Sequence, residues 1–272
     1  MNAQIGIAGR FRLNATAIKI IAIALMLVDH IHQMFSWAGV PVVLKWFGRP
    51  VFPLLLFIMA ESFYHTRDRK KFLFRLLIGA WFMVIANTVL QALMPNYEIV
   101  LMNGAFMSFF VAGLYMLFWD MLVAGIKTKS PKKIIAAILL CFVPVLSGLP
   151  ALFIAQFAFQ WQLPLPVLRL IINAFLLLPS VFTQEAGLIM ALGVLFYIFK
   201  TRRLAQIAAL VAFSLFYFAM GNDAANQWLM VLAAIPMLLY NGEKGLGIKY
   251  FFYVFYPAHI YLLYVAATLI KG

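Results

Sequence analysis

The sequence predicts an all-α fold, a polytopic transmembrane helical bundle of about 9–11 membrane helices forming a single integral membrane unit over residues 1–272. Three observations predict it. Of 272 residues, 66% are hydrophobic and 11% charged, and mean hydropathy is +1.00; soluble domains sit near 45–50% apolar and about 25% charged. Apolar runs approaching the ~20 residues that cross a bilayer recur along the chain. The net charge of +13 gathers in short connectors between those runs, as the positive-inside rule requires. In a soluble protein such a charge points to nucleic acid; here it reads as topology, with membrane lipids as the partner. The single cysteine, Cys141, excludes a disulfide framework and a cysteine-rich metal site.

The elements follow in order. Residues 14–37 form the first span; the run continues through Asp29-His30 with no small-residue cleavage site, so it reads as retained rather than as a signal peptide. Residues 42–64 form the second span, followed by His65-Thr66-Arg67-Asp68-Arg69-Lys70-Lys71 and a third span to about Met94. A polar turn, 95–103, contains Glu98 and leads to the fourth span, 104–125. Lys127-Thr128-Lys129-Ser130-Pro131-Lys132-Lys133 is the next basic connector, and Lys200-Thr201-Arg202-Arg203 and Asn241-Gly242-Glu243-Lys244-Gly245 are two more. Between those two lie apolar runs 204–220 and 227–240, and 250–270 ends the chain.

Placing the basic connectors and the Arg10/Arg12 tail in the cytoplasm puts the N-terminus inside. An even number of crossings must then separate Lys133 from Lys200, yet three apolar stretches lie there: 134–149, 163–179 and 185–199. The middle stretch contains Arg169 and Asn173 and is bounded by Pro164, Pro166 and Pro179. It reads as a re-entrant or interfacial helix beside nine true spans, or as half of a helical hairpin with 150–160.

Ionisable residues inside spans cost at least ~2.5–3.5 kcal/mol each on insertion scales and call for a partner or a purpose. The first span carries Asp29, His30 and His32; with ~1.5 Å rise per residue, Asp29 lies roughly 18 Å above Ala17, past the midplane. The second span opens near Gly48-Arg49-Pro50 and closes near Glu61, and the last places His259 about midway after Tyr256-Pro257-Ala258. Simple structural readings fit His32 at the interface, Glu61 paired with Arg67 or Arg69, Asp120 near the inner rim, and Glu185 and Asp223 at span edges. Asp29 with His30 differs, because two adjacent ionisable groups lie deep in a span. A structural ion pair between Asp29 and Arg49 is the plain alternative. A histidine beside a carboxylate makes a general base near neutral pH. Adjacent helical residues diverge by about 100°, so Asp29 need not touch His30 and instead holds Arg49, or His259 across the bundle. Four scattered histidines give no metal site, and Gly-x-Ser-x-Gly, Walker A and dinucleotide fingerprints are absent.

Several motifs together resemble the TraX family. They are Ile18-Lys19-Ile20-Ile21-Ala22, Met26-Leu27-Val28-Asp29-His30-Ile31, Gly48-Arg49-Pro50-Val51-Phe52-Pro53 and His65-Thr66-Arg67. Lys71-Phe72-Leu73-Phe74-Arg75-Leu76, then Asn103 with Phe106, continue the resemblance. It is best at the end, in Leu239-Tyr240-Asn241-Gly242-Glu243-Lys244-Gly245 and Lys249-Tyr250-Phe251-Phe252-Tyr253-Val254-Phe255-Tyr256-Pro257-Ala258-His259. The resemblance covers roughly 14–125 and 185–270. A segment of about 35 residues, 149–184, looks inserted, and Gln184-Glu185-Ala186-Gly187 stands where an Asp/Ser-Tyr-Gly triplet is expected.

The resemblance implies acetylation of a pilin N-terminal residue and, more distantly, a transmembrane acyltransferase that draws on cytoplasmic acetyl-CoA and uses an intramembrane histidine. It makes His30 the candidate catalytic base and Asp29 its orienting partner, with Arg49 and His259 completing the polar centre; which histidine acts first stays open, as does direct transfer or a transient acetyl-histidine. A cytoplasmic mouth of Arg67, Arg69, Lys70, Lys71 and Arg75 is expected to bind the phosphates of CoA, and Arg49 or Asn103 to stabilise the oxyanion. On the same resemblance the acceptor is expected to be a pilin or an envelope glycan, and the location the inner membrane. A rival reading is a proton-coupled transporter with Asp29, His30 and His259 as a relay.

Overall fold

The structure is a computed structural model that describes residues 12–96, 98–101, 103–158, 160–182, 187–221, 226–247 and 249–271. Arg10, Gln184, Glu185, Ala186 and Asp223 lie outside the described residues. Among the described residues the fold is all-α, with six helices long and apolar enough to cross a membrane and four shorter apolar ones. These ten segments correspond one for one to the ten apolar stretches of the sequence. The chain divides into two compact units, the described residues within Met1–Ile58 and Phe199–Gly272, and those within Met59–Ile198.

In the first unit, helix α1 (Ala15–Phe35) starts at Asn14, whose side-chain oxygen accepts the Ala17 backbone N–H at 2.9 Å, an N-cap that satisfies an otherwise orphaned donor. The connector before the last helix is strapped to this end. Leu13 and Asn241 exchange backbone hydrogen bonds with Leu239 and Leu13, and Ala15 donates to the Glu243 carbonyl at 2.8 Å. The Thr16 hydroxyl donates to the carbonyls of Lys244 and Leu246. Gly245 permits this approach: its φ is +71°, and a Cβ there would lie within 2.9 Å of three atoms of the Asn14 side chain.

From that anchorage α1 and helix α11 (Lys249–Lys271) run side by side in the same direction. Lys19 Nζ lies 5.3 Å from the Phe252 ring centre, the His30 and His259 rings are 5.0 Å apart, and Lys271 Nζ is 5.6 Å from Trp37. The second span is not one continuous α-helix. A 3-10 segment, Val42–Gly48, is followed by α2 (Val51–His65), and Pro50, lacking an N–H, breaks the ladder between them. In α2, Phe57 meets Tyr240 edge-on, and the Arg203 guanidinium lies 4.3 Å from the Phe57 ring centre and 5.0 Å from that of Tyr240. Arg203 opens α9 (Arg203–Ala219) and is held by Gln206 at 2.9 Å. Between α9 and α11, a second 3-10 segment, Gln227–Ala233, runs into α10 (Ala234–Leu239). A 3-10 helix climbs about 2.0 Å per residue, so this short run reaches further than an α-helix of equal length.

In the second unit, α3 (Arg69–Leu93) is capped by the Asp68 carboxylate, which accepts the Lys71 backbone N–H at 3.0 Å; that bond holds the Asp68 carboxyl below its ordinary range. Helix α3 packs on α4 (Ala105–Lys127), with Gly79 against the Phe106 ring and Gly113 against Leu73 and Met59. Helix α4 also packs on α5 (Pro131–Leu146) and on α8 (Met190–Ile198). The middle stretch adopts the hairpin alternative, α6 (Leu149–Phe157) folding against α7 (Leu165–Leu176). Its ends meet. A Cβ on Gly148 would run into Ser180, Ser147 Oγ donates to the Pro179 carbonyl at 2.8 Å, and the Val181 N–H donates to that of Pro144 at 3.1 Å. The segment that looks inserted is therefore a closed excursion, leaving and rejoining the bundle at one point. At ~1.5 Å per residue, α7 is about 18 Å long, short of the ~30 Å bilayer core.

Since α4 is 23 residues long, its two ends must lie on opposite faces of the membrane. Single cysteines at Glu98 and Thr128, with Cys141 replaced, should label from opposite sides; labelling of both from one side would refute this topology. Glu98 suits the test because it is exposed, whereas Asn96 holds the turn by accepting the Glu98 and Ile99 N–H groups.

Candidate functional site

The first unit brings together His30, His259, Asp29 and Arg49 from three chain segments. His30 occupies the buried face of α1, with Ile18, Ala22, Met26 and Met34. His259 comes from α11, and the two side chains are 7% and 6% exposed. His30 Nδ1 and His259 Nε2 are 2.7 Å apart. The other nitrogen of His259, Nδ1, lies 2.7 Å from the Phe255 carbonyl one turn back. A carbonyl only accepts, so His259 Nδ1 carries a hydrogen and, in the neutral ring, Nε2 is the acceptor. His30 Nδ1 must then be the donor, which puts the lone pair of neutral His30 on Nε2. The chain of bonds runs from His30 through His259 to a backbone carbonyl and sets both tautomers. This is the role that a second group plays for any histidine base.

Asp29 points elsewhere. Its carboxylate rests against the backbone of Gly48, where a Cβ would come within 2.6 Å of both oxygens. Its ionisable neighbours are Arg49, Lys45 and His32, and among the described residues it makes no ion pair within 4.0 Å. Of the expected partners, Asp29 therefore faces Arg49 rather than His259, without closing a direct salt bridge. Arg49 donates from Nη1 to Gln227 Oε1 at 3.0 Å, while its buried Nε has no hydrogen-bond partner among the described residues. His32 is structural, its Nδ1 donating to the Val40 carbonyl at 3.2 Å.

Sequence reasoning missed two members of this unit. Lys19 sits eleven residues before His30; at 100° per residue that is three turns plus about 20°, so the two share a face roughly 16 Å apart along the axis. Its neighbours are the Phe252 ring and Lys244, and no carboxylate pairs with it within 4.0 Å among the described residues. A lysine followed by a histidine at i+11 on one apolar helix was a signal available in the sequence. Gln227 carried no such signal.

The expected phosphate-binding residues and Asn103 lie in the second unit. Arg67 and Lys70 are exposed. Lys71 pairs with Asp68 at 3.3 Å. Arg69 is engaged with Asp120, which also accepts the Tyr197 hydroxyl at 2.6 Å, and the Arg69 guanidinium lies over the Phe63 and Tyr197 rings. Arg75 has a buried Nε without a hydrogen-bond partner among the described residues, and Asn103 is buried at 5% exposure.

A family model described as "TraX protein" matches residues 14–267. The chain belongs to the TraX family. That range runs through the excursion between Gly148 and Ser180 as well as the histidine pair. TraX membership agrees with one curated relative, a protein described as "Probable fimbrial assembly protein FimC, serogroup H1" from Dichelobacter nodosus. It is 28% identical, over 92% of this chain and 94% of its own length. No solved structure matches this TraX protein.

Proposed function

We propose that this TraX protein is an acetyltransferase of the inner membrane, N-terminus in the cytoplasm, that moves an acetyl group from cytoplasmic acetyl-CoA to an acceptor amine or hydroxyl. The acceptor is a pilin N-terminus or an envelope glycan; the likeness to a probable fimbrial assembly protein favours a pilus component. On this topology Thr128 labels from the cytoplasm. The buried His30–His259 pair carries the reading. Two histidines hydrogen-bonded to each other inside an apolar bundle, with their tautomers set by a backbone carbonyl, are costly as packing and suited to moving a proton.

In the step, His30 Nε2 takes the proton from the acceptor as its nitrogen or oxygen attacks the thioester carbonyl. The tetrahedral oxyanion collapses, the C–S bond breaks, and the imidazolium returns the proton to the departing CoA sulfur. Arg49, with Nε uncommitted, supplies a donor for the oxyanion. Asn103, the other donor expected from sequence, belongs to the second unit. For the phosphates of CoA, the first unit offers Lys19, on the α1 face that leads to His30, and its neighbour Lys244; of residues 67–75, Arg69 and Lys71 are held by carboxylates.

Labelled acetyl-CoA with purified protein tests the reading: transfer or slow hydrolysis supports it, and substrate-driven proton flux in vesicles without CoA release supports a transporter instead. Comparing the masses of surface proteins and glycans with and without the gene identifies the acceptor. Lys19→Gln with Lys244→Gln should raise the acetyl-CoA KM with a smaller loss of kcat, the pattern of uniform binding. Arg67→Ala with Lys70→Ala is the matched test of the 67–75 segment, and a KM raised only there would return the donor site to it.

A further inference from the structure

We infer that Gly48 is a positioning residue for Asp29, its missing side chain being the seat in which the carboxylate lies. The inference rests on the proposed role of Arg49 as oxyanion donor, since the Asp29 carboxylate is the charge beside that guanidinium. All three terminal atoms of Asp29 fall within 2.6 Å of where a Gly48 Cβ would stand, closer than real Cβ contacts allow. Gly48 does not need to be glycine for its backbone, because its φ is outside the left-handed region, unlike Gly39, Gly242 and Gly245. The space is what requires it. The seat closes the 3-10 segment Val42–Gly48, so the next residue is Arg49, turned toward Gln227. Gly48 thus fixes three things at once: the position of the Asp29 charge, its separation from the Arg49 guanidinium, and the closeness of this segment to α1 one residue before His30.

The atoms a Cβ would strike are the tip of a side chain. A methyl group at 48 is therefore relieved by rotating Asp29 out of its seat, not by unfolding. Gly48→Ala relocates the carboxylate while keeping its charge, which Asp29→Asn cannot do.

The experiment is a cycle of Gly48→Ala, Asp29→Ala and the double variant, read by acetyl transfer with labelled acetyl-CoA and by Tm in detergent. Gly48→Ala should lower kcat by roughly 10- to 100-fold, since a misplacement of about 1 Å costs on the order of 100-fold, with the acetyl-CoA KM unchanged and Tm close to wild type. In the Asp29→Ala background, where the seat is vacant, the same substitution should cost nothing further in Tm or residual turnover, the non-additivity expected of two groups in contact. Wild-type kcat in Gly48→Ala, or an equal and additive loss in both backgrounds, overturns the inference. If Gly48→Ala does not accumulate in the membrane, recovery in the double variant supports it and failure of both overturns it. Full activity of Asp29→Ala, or no transfer by the wild type, sinks the catalytic reading instead; the Tm cycle still decides whether Asp29 occupies the seat.

Discussion

His30→Ala should lower acetyl transfer by 10²–10⁴-fold, the usual contribution of a general base, while the protein remains inserted and folded. The contrast is one of magnitude. A side-chain hydrogen bond lost from a membrane bundle averages only about 0.6 kcal/mol, the scale set for the bond between His30 and His259. His259→Ala should be less damaging, because it removes the group that sets the His30 tautomer rather than the atom that takes the proton. Asp29→Asn should retain the most activity of the three, since the amide still fits the seat against Gly48. Turnover measured beside Tm and acetyl-CoA binding checks the order. Near-wild-type turnover by His30→Ala, with His259→Ala inactive, would move the base to His259. Loss of the folded protein in both would make the pair a structural tie between α1 and α11.

Asp120→Ala should cause the largest stability loss among single substitutions in the second unit, roughly 1–3 kcal/mol. The value lies between the 3–5 kcal/mol for breaking a buried pair and the 0–1 kcal/mol of a surface pair, because Arg69 and Asp120 are each 29% exposed. The carboxylate joins three helices, accepting from Arg69 of α3 and Tyr197 of α8 while belonging to α4. Removing it strands the Arg69 charge over the Phe63 and Tyr197 rings. Arg69→Met with Asp120→Leu should recover part of the loss, as apolar replacement of both partners commonly does. A detergent melt in which the double variant loses the sum of the two single effects would show that the groups do not act as a pair.

These two clusters differ in how visible they are in the sequence. Asp29, His30 and His259 stand out because charge and imidazole are expensive within apolar runs, so composition alone singles them out. Arg69 and Asp120 sit 51 residues apart at span ends, where basic and acidic residues are ordinary, and only packing of α3 on α4 reveals the pair. The long spans were legible because hydropathy acts over twenty residues. The break after Gly48 was half legible, through Pro50; its 3-10 geometry was not, since the same apolar run accommodates either helix. The seat at Gly48 was invisible, because a glycine that gives room to a neighbour looks no different from one that turns a chain. The excursion between Gly148 and Ser180 was visible as extra length, but the meeting of its ends depends on Ser147, Ser180 and Pro144, which carry no pattern.

The parallel run of α1 and α11 also determines where their outer ends lie. Helices that leave the same face in the same direction finish together on the other, so Asn14 at the start of α1 and Lys271 at the end of α11 lie at opposite faces of the membrane. A reporter that fluoresces only in the cytoplasm should therefore light at one terminus and stay dark at the other, and an enzyme active only outside should behave conversely. A tag for purification or a tether to another machine component would meet different neighbours depending on the end that bears it.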